Sequence, residues 1–300
     1  MKVTVSGATG RVGRQLVAAL KARGHDVIAL SRDPGKAGER LGVQACAWDL
    51  KNEAVPEEAL AGRDAVVHLA GEDVGQRWNK QVKAEILDSR EQGTRNMVHG
   101  IFEAKPRPKA FICASASGYY GPRGSEPVDE TEPPGSDWLA EVCARWERQA
   151  ETAKVGTRTV IVRTGIVLDA EGGALAKMLP PFKAGIGGPI GSGKQYMPWI
   201  HLDDLIGIYL AALDHQGFDG AINASAPQPA TNKQFAKALG HALNRPAVAP
   251  VPGVALKLMY GEMSQIVLNG VRMVPGRAAE LGYDFRHPDL DEALRSTLAQ

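Results

Sequence analysis

The stretch Gly7-Ala8-Thr9-Gly10-Arg11-Val12-Gly13 constrains this chain more than any other. It follows a β-branched run, Val3 to Ser6, and opens an amphipathic one, Gly13 to Arg23. Three glycines at a strand-to-helix junction each have a mechanical use: a tight turn, close approach of backbone N–H groups to a pyrophosphate, and tight packing of helix on strand. The helix N-terminus adds partial positive charge. Alone, such a pattern is often only a turn; with a strand before it and a helix after it, it predicts dinucleotide binding through Gly7, Thr9, Gly10, Arg11 and Val12. Further strands are expected at Asp26 to Leu30, Ala65 to Leu69, Ala110 to Ala114 and Arg158 to Val167, with helices at Asn79 to Ala104 and at Asp137 to Ala153, the latter capped by Ser136 or Asp137. That alternation is the signature of βαβ units in a Rossmann-type, doubly wound parallel α/β sheet.

The second strand selects the cofactor. An NAD-binding chain usually carries an acid there for the ribose 2′-hydroxyl. Here the strand runs into Ser31-Arg32, with Lys36 nearby. A hydroxyl and a guanidinium suit a 2′-phosphate, so NADP(H) is expected over NAD(H). The competing reading makes Arg32 a solvated loop charge.

At 300 residues the chain is long for one compact core, and two lobes sharing a cleft are expected. The Rossmann domain is assigned to 1–168, with room for return segments near 195–225, and a smaller mixed α/β C-terminal substrate lobe to 169–300. Five glycines between Gly185 and Gly193 suggest a flexible loop with little to pack, and Pro246 to Pro252 a short connector. In the second lobe, Gln195 to Leu213 looks like a strand feeding a helix, Ile222 to Ala224 like a short strand and Asn232 to Leu243 like a helix. The near balance of 35 basic and 34 acidic residues gives no pull toward nucleic acid or an anionic membrane, which leaves a small molecule as the expected partner. Cys46, Cys113 and Cys143 lie far apart, with no metal-ligand spacing and no disulfide framework. With no secretory pattern at Met1 and no long apolar run, a cytoplasmic location is expected. Nothing in the sequence fixes the oligomeric state.

The GxxGxxG spacing resembles that of the extended and atypical short-chain dehydrogenase/reductases. The likeness extends to Arg77-Trp78 with Lys83, Ser89-Arg90 with Gly93-Thr94, Ser115 to Gly121, Cys143 to Glu147, Arg163 to Leu168, and Trp199-Ile200-His201 with Asp204; the stretch from Pro252 through Gly261-Glu262-Met263 to Leu290 resembles a C-terminal domain of the atypical epimerase subgroup. The resemblance spans essentially the whole chain. It implies adenine contacts at Asp49 and Leu50, a small-residue crossing at Leu69, Ala70 and Gly71, and contacts near the nicotinamide at Ser115, Thr164, Gly165 and Ile166. It also implies a Tyr-x-x-x-Lys pair four residues before a glutamate. Taking Glu147 as that glutamate puts Cys143 at the lysine position and Leu139 at the tyrosine position, while Ala116 stands at the usual Ser/Thr position. The triad is missing, so the epimerase label carries no established reaction.

Replacement candidates for catalysis are Ser117 and Tyr119, which could donate to a substrate carbonyl, and His201, which could protonate substrate or simply brace the next helix. Arg77, Trp78 and Lys83 form a cationic and aromatic cluster suited to an anionic or planar substrate, unless they are only an exposed helix start. Tyr120 and Trp199 complete the substrate-side candidates, although the resemblance makes the Tyr of a Tyr-Gly pair usually structural, and Cys143 reads more readily as packing than as a nucleophile. Two functions stay open: an NADP(H)-dependent epimerase, dehydratase or reductase-like oxidoreductase acting on a small carbonyl or sugar-nucleotide-like substrate, and a non-catalytic dinucleotide-binding or redox-sensing protein.

Overall fold

A computed structural model describes residues 1–299 of the chain. Its N-terminal part alternates β1 (Lys2–Ser6), α1 (Arg11–Ala22), β2 (Asp26–Ser31), α2 (Pro34–Leu41), β3 (Gln44–Ala47), β4 (Ala65–His68), α3 (Lys80–Glu103) and β5 (Ala110–Ala116). Next come a two-residue β6 (Pro127–Val128), α4 (Trp138–Glu151), β7 (Arg158–Thr164) and β8 (Ile166–Leu168). The remainder holds α5 (Gly173–Lys183), β9 (Tyr196–Met197), β10 (Trp199–His201), α6 (Leu202–Asp214), β11 (Gly220–Ala224), β12 (Ala230–Thr231), α7 (Asn232–Leu243) and α8 (Gly253–Tyr260), then β13 (Arg272–Met273) and a last helix, Leu290–Ala299.

Seven parallel strands form the main sheet in the order β11-β7-β5-β4-β1-β2-β3. The chain winds outward from β1 to β3, then restarts at β4 on the other side of β1. That reversal opens a crevice at the carboxyl ends of β1 and β4, where dinucleotides bind in such sheets. Helix α1 buries Gly13, Leu16, Val17 and Leu20, the spacing of one helical face, against this sheet together with α6. On the opposite face α3 and α4 bury Met97, Val98, Ile101, Trp146 and Ala150. A separate core around Leu175, Phe182, Trp199, Phe235, Leu239 and Leu294 holds the second lobe.

Two local expectations are corrected. The strand predicted through Val167 breaks at Gly165, where the backbone runs so close to the Pro198 carbonyl oxygen that only a glycine fits, and β8 leaves the main sheet to pair with β10. Of the glycines from Gly185 to Gly193, three are packed closely: Gly187, Gly188 and Gly193. Gly187 and Gly188 are buried; a Cβ on Gly187 would lie 2.5 Å from the Phe182 ring, and one on Gly188 would overlap the Ala249 carbonyl. The return to the main sheet is made by α6 and β11.

Candidate functional site

The site begins where β1 ends. Gly7 turns the chain with φ +66°, and a Cβ there would stand 2.8 Å from the backbone of Leu69 and Ala70, so the phosphate loop and the turn after β4 touch backbone to backbone. Ser6 fixes that joint: its Oγ accepts from the Ala70 N–H at 3.4 Å and lies 2.6 Å from His68 Nδ1. Burial pushes His68 down to about 3, so the imidazole is neutral. Gly13 is as constrained, since a Cβ there would overlap the Gly7 carbonyl.

Helices α2, α3 and α4 are capped by the side chains of Asp33, Asn79 and Asp137. Helix α1 starts at Arg11 after Gly10 at the N-cap position, with no side-chain cap and no acidic residue in its first turn. No side chain caps the N–H groups of its first turn, which leaves them open to an incoming phosphate. One prediction changes here. The Arg11 guanidinium pairs with Asp169 at 2.5 Å and Glu171 at 2.6 Å, so this residue can offer a cofactor its backbone N–H and little else.

On the β2 side, Ser31 Oγ bonds Asp33 backbone atoms at 3.2 Å and Arg32 is exposed. The Asp33 carboxylate is taken by the Lys36 backbone N–H and ammonium. Asp49 is half-buried, accepting from Asn52 Nδ2 at 2.7 Å, a bond that holds its carboxyl below the usual range. Leu50 packs on Gly93 of α3, while Leu69 and Ala70 are half-buried and Gly71 exposed.

The β5 and β7 side is built from side chains. Leu139, Cys143 and Glu147 line one face of α4, and a Cβ on Gly118 would touch both Leu139 and Cys143 at 3.6 Å, as the helical register required. Cys143 is buried, and burial pushes its thiol up to about 12. Below it, Glu147 accepts from Ser115 Oγ at 2.5 Å and from Arg163 Nη2 at 2.8 Å; Arg163 Nη1 donates to the Tyr120 hydroxyl at 2.9 Å, which donates to Asn223 Oδ1 at 2.7 Å. This network corrects two predictions. Ser115 spends its hydroxyl on Glu147, and Tyr120, fully buried, is a frame residue rather than a substrate contact. Trp199 is corrected likewise, being 1% exposed with its Nε1–H donated to the Gln228 carbonyl. His201 follows the bracing alternative: 1% exposed, it caps α6 through the Asp203 N–H and stacks on His287 at 3.7 Å.

Ser117 and Tyr119 stay half-buried at the turn after β5. The Arg163 guanidinium lies 3.5 Å from the Tyr119 ring centroid, and burial raises the phenol pKa, which keeps its proton on at neutral pH. Thr164, Gly165 and Ile166 are half-buried where β7 gives way to β8. At the mouth, Trp78 meets Trp138 edge-on at 4.6 Å, and the Lys83 ammonium lies 5.0 Å from the Trp138 ring and pairs with Glu262 of the C-terminal segment. Exposed Arg77 is beside Gly261. Sequence reading singled out neither Trp138 nor Glu262 as a site residue. No local pattern marks them, because both join the cluster only through packing between distant segments.

Residues 3–224 match the profile described as the NAD dependent epimerase/dehydratase family. The chain belongs to that family. Residues 251–297 match a domain of unknown function, DUF1731. Within the epimerase family, the chain is 40% identical over 305 residues to the Arabidopsis thaliana chloroplastic homologue of epimerase family protein SDR39U1, covering 99% of this chain and 87% of that one. It is 38% identical over 304 residues to human SDR39U1, with both chains covered in full. The crystal structure of the human protein (isoform 2) with NADPH superposes with a TM-score of 0.89 at 36% identity, again over the whole of both chains. Among the described residues no helix is long and apolar enough to cross a membrane.

Proposed function

We propose that this epimerase-family chain binds NADP(H) and acts as an oxidoreductase or epimerase-like enzyme without the tyrosine–lysine pair. The observation that carries the reading is the uncapped start of α1 inside the glycine turn, set beside a β2 end that presents Ser31 and Arg32 in place of an acid. The cradle fits the cofactor: a Cβ at Gly7 would meet the backbone of Leu69 and Ala70 and one at Gly13 the Gly7 carbonyl, so these glycines let the loop make the tight turn that a pyrophosphate cradle needs. NADPH in the human relative, whose fold this chain shares throughout, supports the same choice.

Gly10, Arg11 and Val12 would hold the pyrophosphate through backbone N–H groups. Ser31 and Arg32 would take the 2′-phosphate, Asp49 and Leu50 the adenine, and Leu69 to Gly71 the crossing over the sheet, with Thr9 at the phosphate loop and Thr164 to Ile166 beside the nicotinamide. When bound, the cofactor supplies hydride transfer. Tyr119, kept protonated by burial, would donate to a substrate carbonyl with help from Ser117. Arg77, Lys83 and Trp78 would receive an anionic or planar group of a small carbonyl or sugar-nucleotide-like substrate.

The test is a titration with NADPH and NADH. NADPH should bind more tightly, and Arg32→Ala should weaken NADPH by about tenfold while sparing NADH. Equal curves for both nucleotides, unmoved by Arg32→Ala, would sink the cofactor choice. A second reading has its own observation. Ala116, Leu139 and a protonated Cys143 occupy all three positions where the family resemblance expects catalytic groups, which favours a non-catalytic dinucleotide-binding or redox-sensing protein. Screening carbonyl and sugar-nucleotide substrates by NADPH absorbance separates the two: bound cofactor with no turnover favours the second.

A further inference from the structure

The first two helices carry cations that the protein answers unequally. Arg11 pairs with Asp169, Arg23 with Asp214, Lys36 with Asp33 and Arg63 with Asp26. Arg14, Lys21 and Arg40 have no carboxylate within ion-pair distance among the described residues. These three line one cavity of about 530 Å³ between α1 and α2, with Val17, Ala18 and Leu41 as its apolar wall. That volume lies in the range of small-molecule sites. Arg14 is half-buried, and its Nε is shut away from water with no hydrogen-bond partner. Asp169, the carboxylate nearest to its influence, is already taken by Arg11 Nε at 2.6 Å and Nη2 at 2.5 Å. Lys21 Nζ donates to the Leu41 carbonyl at 2.7 Å, which holds the ammonium between the two helices and leaves it further protons to give.

Helix dipoles account for only part of this arrangement. Lys21 and Arg40 stand in the last turns of their helices, where a cation is favourable. Arg14 stands near the start of α1, where the dipole opposes one. Three like charges around one cavity, without a counter-charge from the protein, make a place for an anion. The groove is also separate from the cofactor crevice. Both helices run back from the carboxyl ends of the strands, so Lys21, Arg40 and Leu41 lie toward the amino ends. Along α1, Lys21 is about 15 Å from Arg11 at 1.5 Å per residue. We infer that the groove between α1 and α2 binds a small molecule carrying a diphosphate. The Arg14 and Arg40 guanidinium forks and the Lys21 ammonium take its phosphate oxygens, and Val17, Ala18 and Leu41 meet the group it carries. Two linked phosphates can meet donors from both helices and balance their charge. The inference does not depend on which dinucleotide the crevice holds.

The experiment titrates inorganic pyrophosphate by calorimetry into the full-length protein saturated with NADPH, so that the glycine cradle is already filled. Pyrophosphate should bind one to one. The double substitution Arg14→Met with Arg40→Met should weaken it by about tenfold or more, the range for hydrogen bonds to charged groups, while NADPH affinity and melting temperature are kept. Arg32→Ala, which lies outside the groove, should leave pyrophosphate within about twofold. No binding to the NADPH-saturated protein, binding unmoved by the double substitution, or equal weakening by Arg32→Ala overturns the inference. ADP and isopentenyl diphosphate, titrated the same way, tell a nucleoside from an apolar chain as the attached group, and weaker binding of both than of pyrophosphate overturns the part given to the apolar wall. If the double variant does not fold, Arg40→Met alone, at an exposed side chain, is read by the same comparison. If the protein binds no NADPH, the titration is made without it, and pyrophosphate binding lost in Gly7→Ala but kept in the double variant overturns the inference.

Discussion

The two ends of the cleft are built on different plans. At the β1 and β4 end the working groups are backbone N–H groups, held by glycines that admit no side chain and by the contact of Gly7 with Leu69 and Ala70. At the β5 and β7 end they are side chains, and most of the polar ones are consumed in the buried run Ser115, Glu147, Arg163, Tyr120 and Asn223. A backbone site survives substitution of its neighbours, because its donors belong to every residue type except proline. A side-chain site does not. The dinucleotide cradle can therefore persist in this chain while the residues expected to do chemistry have become Ala116, Leu139 and Cys143.

The contrast is sharpest in stability. Glu147→Ala would strand the Arg163 guanidinium, 5% exposed, without its carboxylate, and should cost about 3–5 kcal/mol in urea unfolding. A loss below about 1 kcal/mol would mean that the buried network is not what fixes the far end. Gly7→Ala attacks the other plan. It forces a side chain into φ +66° and onto backbone that cannot rotate away, so NADPH affinity should drop by about tenfold to a hundredfold, with at least about 1–2 kcal/mol lost in stability. Unchanged NADPH calorimetry for that variant would remove the backbone cradle from the comparison.

A smaller effect tests the joint between the two turns. His68 is held down to about 3 by burial, against about 6.5 when unfolded, so below pH 6.5 the unfolded chain binds a proton that the folded one refuses. Stability should be full above pH 6.5 and decline toward pH 3, with His68 contributing a slope of at most about 1.4 kcal/mol per pH unit. In His68→Asn that part of the slope should vanish from pH-dependent melts. The smallest change is expected at Cys143. With its thiol pushed up to about 12, Cys143→Ala should leave NADPH affinity within about twofold and cost about 1 kcal/mol of packing, and the native thiol should resist alkylation near neutral pH. Rapid alkylation of the folded protein, or a tenfold loss of turnover in the variant, would return chemistry to the far end.

Much of the first plan was legible in the sequence. Gly7 to Gly13 and the strand ending in Ser31-Arg32 state their requirements within a few residues. The loss of the tyrosine and lysine was also readable, since helical register from Glu147 reaches Leu139 and Cys143 without tertiary information. The side chains that proved unavailable were not readable in the same way. Tyr120 finds Asn223 at 103 positions' distance and Arg11 finds Asp169 at 158, so their composition and spacing looked functional while their hydrogen bonds were already spent. His201 and Trp199 failed for the same reason: motif position said where they sit along the chain, and burial decided what they can touch.

The sequence by itself determined the βαβ alternation of the N-terminal half, the glycine turn, the want of an acid after β2 and the absence of a Tyr-x-x-x-Lys pair, because each follows from local backbone geometry or a fixed helical period. Only the tertiary structure decided which polar side chains remain free. Hydrogen-bond and stacking partners come from segments that folding alone brings together; these closed Ser115, Tyr120 and His201 into the frame.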